Sequence, residues 1–196
     1  MRPCAISLVL AACCAGNAAL AAEVYRESVD GELSSNGLAP TAITLAAGSN
    51  QIFGRMGGGG GGADLDYFTV TVPTQMQLTA LTLLSDTRVI GVSFIGMQAG
   101  PQLTVDPRAG SANGLLGWMH YGATDIGTDI LPTIGTGFGA SGFTPPLGAG
   151  QYSFWLQETG AGSVTYGLDL QLQPVPLPTA LPGFALALAL LRRRKR

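Results

Sequence analysis

The chain is poor in the residue types that carry most catalysis and most nucleic-acid binding. Among 196 residues there is one lysine, Lys195, and one histidine, His120. Charged residues make up 11%, less than half of the usual share of about 25%. All three cysteines, Cys4, Cys13 and Cys14, lie near the N-terminus. Between residues 23 and 172 the only lysine or arginine cations are Arg26, Arg55, Arg88 and Arg108, against twelve carboxylates. The body is therefore acidic. It has no basic patch to displace counterions from phosphates, which excludes nucleic acid as a partner. It has no cysteine for a disulfide, a thiolate nucleophile or a thiolate metal site. Long apolar runs are missing too. Short apolar stretches occur at 5–15 and 184–191, well under the roughly 20 residues a spanning helix needs.

What is present is concentrated at the two ends. Arg2, the apolar stretch 5–15 and the small-x-small triplet Ala19-Leu20-Ala21 read as a secretory signal peptide over 1–21, cut between Ala21 and Ala22. A competing reading takes Leu10-Ala11-Ala12-Cys13 as a lipoprotein box that acylates Cys13. Cleavage at Ala21 leaves a mature chain without cysteine, so its stability has to come from its core. The C-terminal stretch, 174–196, has three parts. Val175-Pro176-Leu177-Pro178 is a proline motif that cannot join a helix or a ladder and stays open to an enzyme. The run 184–191 enters lipid as a short transmembrane segment. Arg192, Arg193, Arg194, Lys195 and Arg196 act as a membrane stop held on the cytoplasmic side. Half of all lysine and arginine sits in those last five positions. A short, proline-interrupted anchor suits a segment that is held briefly and then removed.

This tail resembles the PEP-CTERM sorting signal of Gram-negative bacteria in its VPLP-type variant. Leu177 stands where the commoner form has Glu, and Thr179 where the variant usually has Ala. The resemblance implies a partner, an exosortase of the VPLP-accepting type, which cuts at or near the proline motif. It implies transit through the inner membrane, then residence at the cell surface or in the extracellular matrix, in association with exopolysaccharide or biofilm. The competing account is an ordinary C-terminal membrane anchor.

Between the signals, 22–173 reads as one all-β ectodomain. Period-two alternation marks strands. Phe68, Val70 and Val72 share a face, as do Tyr152, Phe154 and Leu156, and as do Val164, Tyr166, Leu168, Leu170 and Leu172. Further strands are expected at 41–46, 51–55, 76–84, 89–97 and 115–121, with an edge strand within 23–33. Gly, Asn, Asp and Pro clusters separate them. The absence of an amphipathic helix points to an antiparallel β-sandwich of jelly-roll type. The stretches 66–73, 78–84 and 148–156, with the closing strand 166–172, are similar to the bacterial pre-peptidase C-terminal domain, an accessory β-sandwich. That likeness implies binding or a structural role rather than catalysis.

Few residues invite chemistry. The glycine run 57–62 is followed by Ala63-Asp64, not by the Lys-Ser/Thr of a phosphate loop, and reads as a surface hairpin. Asp64 and Asp66 bracket Leu65 at the start of a strand and offer hard oxygens to calcium; as plain turn carboxylates they would instead keep an edge from pairing. Asp125 and Asp129 are a second such pair. His120, with no Gly-x-Ser-x-Gly elbow in the chain, reads as a buried or edge histidine with a satisfied hydrogen bond rather than a catalytic base. Trp118, Tyr121 and Trp155 either fill the core or form a platform for sugar rings, with Trp155 the more exposed. The expectation is a non-enzymatic exported protein without a cofactor, calcium aside. The alternative is a carbohydrate- or calcium-binding sandwich on a simple membrane anchor.

Overall fold

Strand β9, Gly162–Pro174, shows why the chain folds as it does. Val164, Tyr166, Leu168, Leu170 and Leu172 are all buried, while Thr165 and Gln173 are exposed. A strand presents alternate side chains to opposite faces, so this pattern buries one face completely. The structure is a computed structural model that describes residues 21–58 and 64–176. Its other strands are β1 (Ala22–Arg26), β2 (Thr41–Ile43), β3 (Gly48–Gly58), β4 (Asp66–Val72), β5 (Met76–Leu83), β6 (Ser93–Ala99), β7 (Gly117–Tyr121) and β8 (Gly150–Glu158). The only helical elements among the described residues are single turns: α1 (Glu27–Asp30), a 3-10 turn at Ala123–Asp125 and α2 (Leu131–Ile134).

Two sheets face each other. One runs β2-β4-β8-β6-β7 and the other β1-β3-β9-β5. A single parallel bridge, Gly58 to Glu158, joins them at one corner. The central pairings are antiparallel, including the eleven-residue ladder between β3 and β9. The outer strands β1 and β2 instead run parallel to β3 and β4. Both sheets are thus mixed, where the alternation alone led to an antiparallel expectation. Parallel neighbours need crossover connections, and the segments after β1 and β2 are long enough to supply them.

The core between the sheets is continuous. Ile52, Met56, Leu78, Leu81, Leu83, Leu168 and Leu170 of the second sheet meet Phe68, Val70, Ile95, Met97, Phe154 and Leu156 of the first. Phe68 and Phe154 are cross-strand neighbours stacked at 4.9 Å, the pairing that most favours a sheet. In β5 a bulge between Leu78 and Ala80 resets the alternation, so Leu78, Leu81 and Leu83 all point inward. The extra residue, Thr79, turns its hydroxyl to the Gln171 carbonyl.

Several expected strands are trimmed, each for a local reason. The strand over 41–46 stops at Ile43. The buried Asn50 amide accepts the Ala46 N–H and donates to the Ala46, Gly48 and Leu170 carbonyls, taking the place of ladder bonds. The strand expected from residue 89 starts at Ser93, because Gly91 turns the chain at φ +87°. The strand within 23–33 ends at Arg26, where α1 begins.

A second, smaller core lies on the outer face of the first sheet. Tyr67, Leu103, Leu115 and Trp155 pack there, with Tyr67 and Trp155 stacked at 6.3 Å. The connection between β6 and β7 folds back over the sheet to build it; the Leu103 N–H donates to the Gly37 carbonyl and the Leu116 N–H to the Met97 carbonyl. No helix among the described residues is long and apolar enough to cross a membrane. Most of the expected signal peptide with Cys4, Cys13 and Cys14, glycines 59–62, and the tail from Leu177 to the basic end all lie outside the described residues.

Candidate functional site

Two places in the sandwich bring polar or aromatic groups together. The first is an acid pocket where the N-terminal segment crosses the edge of the sandwich. Asp66, the first residue of β4, shares the inward face with Phe68 and Val70 and is fully buried. Neither of its carboxylate oxygens has a hydrogen-bond partner among the described residues. Glu27 and Glu32 reach the same spot from α1 and the loop after it. One oxygen from each of Glu27, Glu32 and Asp66 lies within 4.8 Å of the others. Glu27 is held in place: its Oε1 accepts the Leu33 N–H at 3.1 Å and its Oε2 accepts the Arg55 N–H at 2.6 Å. Glu32 is exposed and faces Asp64, which is half-buried.

The electrostatics follow from burial. Loss of water lifts the Asp66 carboxyl to about 9, and the neighbouring Glu27 charge adds to the rise. The buried Tyr166 hydroxyl beside it offsets part of this; burial pushes that phenol well above its ordinary range, and the Asp66 charge pushes it further. Burial also raises Glu27, against the pull of the Arg55 and Leu33 amides. Glu32 is raised by burial and then by Asp64. None of these carboxylates is in a salt bridge among the described residues. The one described pair is Arg26 with Glu23 at 2.6 Å, and Arg26 lies over the Phe53 ring. Room for Tyr166 comes from Gly54 on β3, where a Cβ would collide with the Tyr166 hydroxyl.

Of the two expected calcium ligands, the structure places Asp66 on the pocket floor and Asp64 beside Glu32. Glu27 and Glu32 were not legible as partners, because they are far away in sequence and one sits in a turn that alternation does not mark. Asp125 and Asp129 serve the backbone instead. Asp125 Oδ2 accepts the Gly122 N–H, and Asp129 Oδ1 accepts the Leu81 and Leu131 N–H groups.

The second place is an aromatic groove of about 270 Å³ on the outer face of the first sheet. Phe94 of β6, Trp118 and His120 of β7, and Trp155 and Gln157 of β8 form its floor, and the 106–112 loop forms one wall. Phe94 lies 4.5 Å from Trp155 and 5.9 Å from Trp118 between ring centres. Trp118 is half-buried, and its Nε1–H donates to the Phe138 carbonyl at 2.9 Å. One expectation is corrected here, and for Tyr121 the structure decides between two. Trp155 faces outward as its alternation requires, but the folded-back connection covers it, leaving it 7% exposed. Tyr121 belongs to the interior and is fully buried, so it is no part of a platform. His120 lies on the edge strand β7 but is exposed. Its neighbours are the Phe94 and Trp118 rings, and its side chain lacks the expected hydrogen bond among the described residues.

Comparison with known proteins returns no match: no family model, no curated protein and no solved structure is similar to the chain.

Proposed function

We propose that the chain is an exported protein that an exosortase of the VPLP-accepting type sorts through the C-terminal tail. The ectodomain then acts at the cell surface or in the extracellular matrix by binding rather than by catalysis. The observation that carries this reading is the tail itself, the proline motif followed by 184–191 and the basic end. Its position relative to the fold supports the reading. Strand β9 ends at Pro174, and the Val175 N–H makes a last backbone bond to the Gln75 carbonyl at 2.8 Å. The motif thus begins where the sandwich ends, and a cut there would leave the core intact. The mature start at Ala22 coincides with the start of β1. On this reading the sandwich is of jelly-roll type, the N-terminal signal is removed, and 184–191 crosses the inner membrane only in transit.

The test is the intact mass of the mature protein from its native host, with and without the exosortase. The expected form starts at Ala22 and ends near the motif only when the enzyme is present. A form that keeps Arg196 in both strains would overturn the sorting reading, and an acyl mass on Cys13 would replace the signal cut with lipoprotein processing.

The groove favours a second reading of what the ectodomain binds. Aromatic faces stack on the apolar faces of sugar rings, and Trp118 and Phe94 are flanked by Gln157, Asp106 and Ser111, which can hydrogen-bond hydroxyls. Retention of the protein on an exopolysaccharide column, and loss of retention in Trp118→Ala, would be the result expected of a carbohydrate-binding face.

A further inference from the structure

We propose that Glu27, Glu32 and Asp66 form a calcium site that fastens the N-terminal segment to the sandwich. This holds whether or not the tail is a sorting signal. Calcium takes six to eight oxygens at about 2.3–2.6 Å, so two oxygens on one ion lie no more than about 5 Å apart. The three carboxylate oxygens meet that limit, all lying within 4.8 Å of one another. The burial is graded as a site needs: Asp66 is the buried floor, Glu27 a half-buried wall and Glu32 the exposed mouth.

Grouped carboxylates alone would not be enough. The independent observation is the state of Asp66. Both of its oxygens are buried without a partner, which is costly for any polar group. The same sandwich shows what a satisfied buried carboxylate looks like. Glu158, also fully buried, accepts the Ser93 hydroxyl at 2.7 Å and the Gly160 N–H at 2.7 Å. Asp66 has only the Tyr166 hydroxyl nearby, outside hydrogen-bond distance, and one of its free oxygens sits where Glu27 and Glu32 arrive. A divalent cation supplies the missing partner and reverses the mutual repulsion of the cluster.

The chemistry of the donors selects the ion. They are hard oxygens with no histidine or cysteine among them, which disfavours zinc and copper. Two of them are on a turn and a loop, a compliant arrangement that suits calcium better than the strict octahedron of magnesium. Glu27 already spends one lone pair of each oxygen on the Leu33 and Arg55 amides. That fixes its direction, and a carboxylate retains further acceptor positions. Glu27 and Glu32 belong to the segment after β1, while Asp66 belongs to the sandwich, so an ion between them ties the two.

The experiment uses the full chain, stripped with a chelator and titrated with calcium chloride or magnesium chloride while its melting temperature is followed. We expect calcium at millimolar concentration to raise the melting temperature by several degrees, magnesium to do so much less, and both Glu32→Gln and Asp66→Asn to remove the calcium effect. Glu32 is exposed, so Glu32→Gln tests the site even if Asp66→Asn disturbs folding. No rise with calcium, an equal rise with magnesium, or a rise that persists in Glu32→Gln would overturn the proposal. Terbium luminescence, excited through tyrosine and displaced by calcium, reads the same site directly. Its absence in the unaltered chain would count equally against it.

Discussion

The acid pocket and the aromatic groove share one sheet and solve opposite problems. Strand β4 gives Asp66 to the pocket, and its neighbour β8 gives Trp155 and Gln157 to the groove. In the pocket, charge has been taken out of water and left unpaired, so burial raises the carboxyls of Asp66, Glu27 and Glu32. In the groove, the Phe94 and Trp118 rings have been left partly in water, while the Trp155 indole N–H beneath them is buried without a partner among the described residues. The first region carries electrostatic strain and is stable only if protons or a cation relieve it. The second carries an unfilled apolar surface and no cluster of carboxylates. Buried polar groups without partners and exposed apolar surface are the two departures from good packing that mark functional sites. Here they are on opposite faces of one sheet.

The comparison breaks most completely if the shared frame is removed. Leu170→Ala in β9 should cost about 3–5 kcal/mol, the range for a fully buried leucine whose cavity does not collapse, because Leu170 is fully buried in the main core. Chemical denaturation measures it. Pocket and groove should melt together as one unit, and separate transitions would show that they are independent.

The next effect separates them. Asp66 has a folded pKa of about 9, against about 3.9 for an unfolded aspartate. Between those values the folded state binds the extra proton. Stability should therefore fall as pH rises, reach its lowest value above about pH 9, and be fully recovered below about pH 4 as far as this group is concerned. Glu27 and Glu32 from the N-terminal segment, Asp64 from the chain before β4 and Tyr166 from β9 are the titratable groups that face it. In chelator, the loss should be roughly 2 kcal/mol between pH 6 and pH 8, within the limit of about 1.4 kcal/mol per pH unit for one proton. Asp66→Asn, neutral at every pH, should flatten the slope. An unchanged slope in that variant would assign the strain elsewhere.

The smallest effect on folding is expected in the groove. Trp118→Ala removes a half-buried ring from an edge strand and should cost about 1 kcal/mol or less of stability, while reducing binding to a polysaccharide about tenfold through lost stacking. A large loss of stability with no change in binding would make the ring a piece of the smaller core.

Much of the frame was legible from side-chain alternation. Strands β4, β8 and β9 were marked by their apolar parity, and the buried residues Phe68, Phe154 and Leu168 are those that the parity selects. The edges were less legible. A strand of three residues such as β2 has no period to read, and its end depends on where the Asn50 side chain reaches. Alternation also reports which way a residue faces, not whether another segment covers that face. That is why Trp155 was given the correct face and the wrong exposure. The pocket was half legible: Asp66 and Asp64 stand together in the sequence, whereas Glu27 and Glu32 are brought to them by the parallel pairing of β1 with β3.

The sequence by itself determined the acidic and cysteine-free body, the strand-rich fold and the faces of its central strands. These depend on composition and on neighbours along the chain, which the backbone geometry turns directly into structure. Only the tertiary structure decided that an aspartate at the start of β4 is buried without a partner, that two distant glutamates join it, and that a folded-back connection makes a groove from Phe94, Trp118 and Trp155. Those outcomes depend on which distant segments come together and how much water they exclude, and no local pattern carries that information.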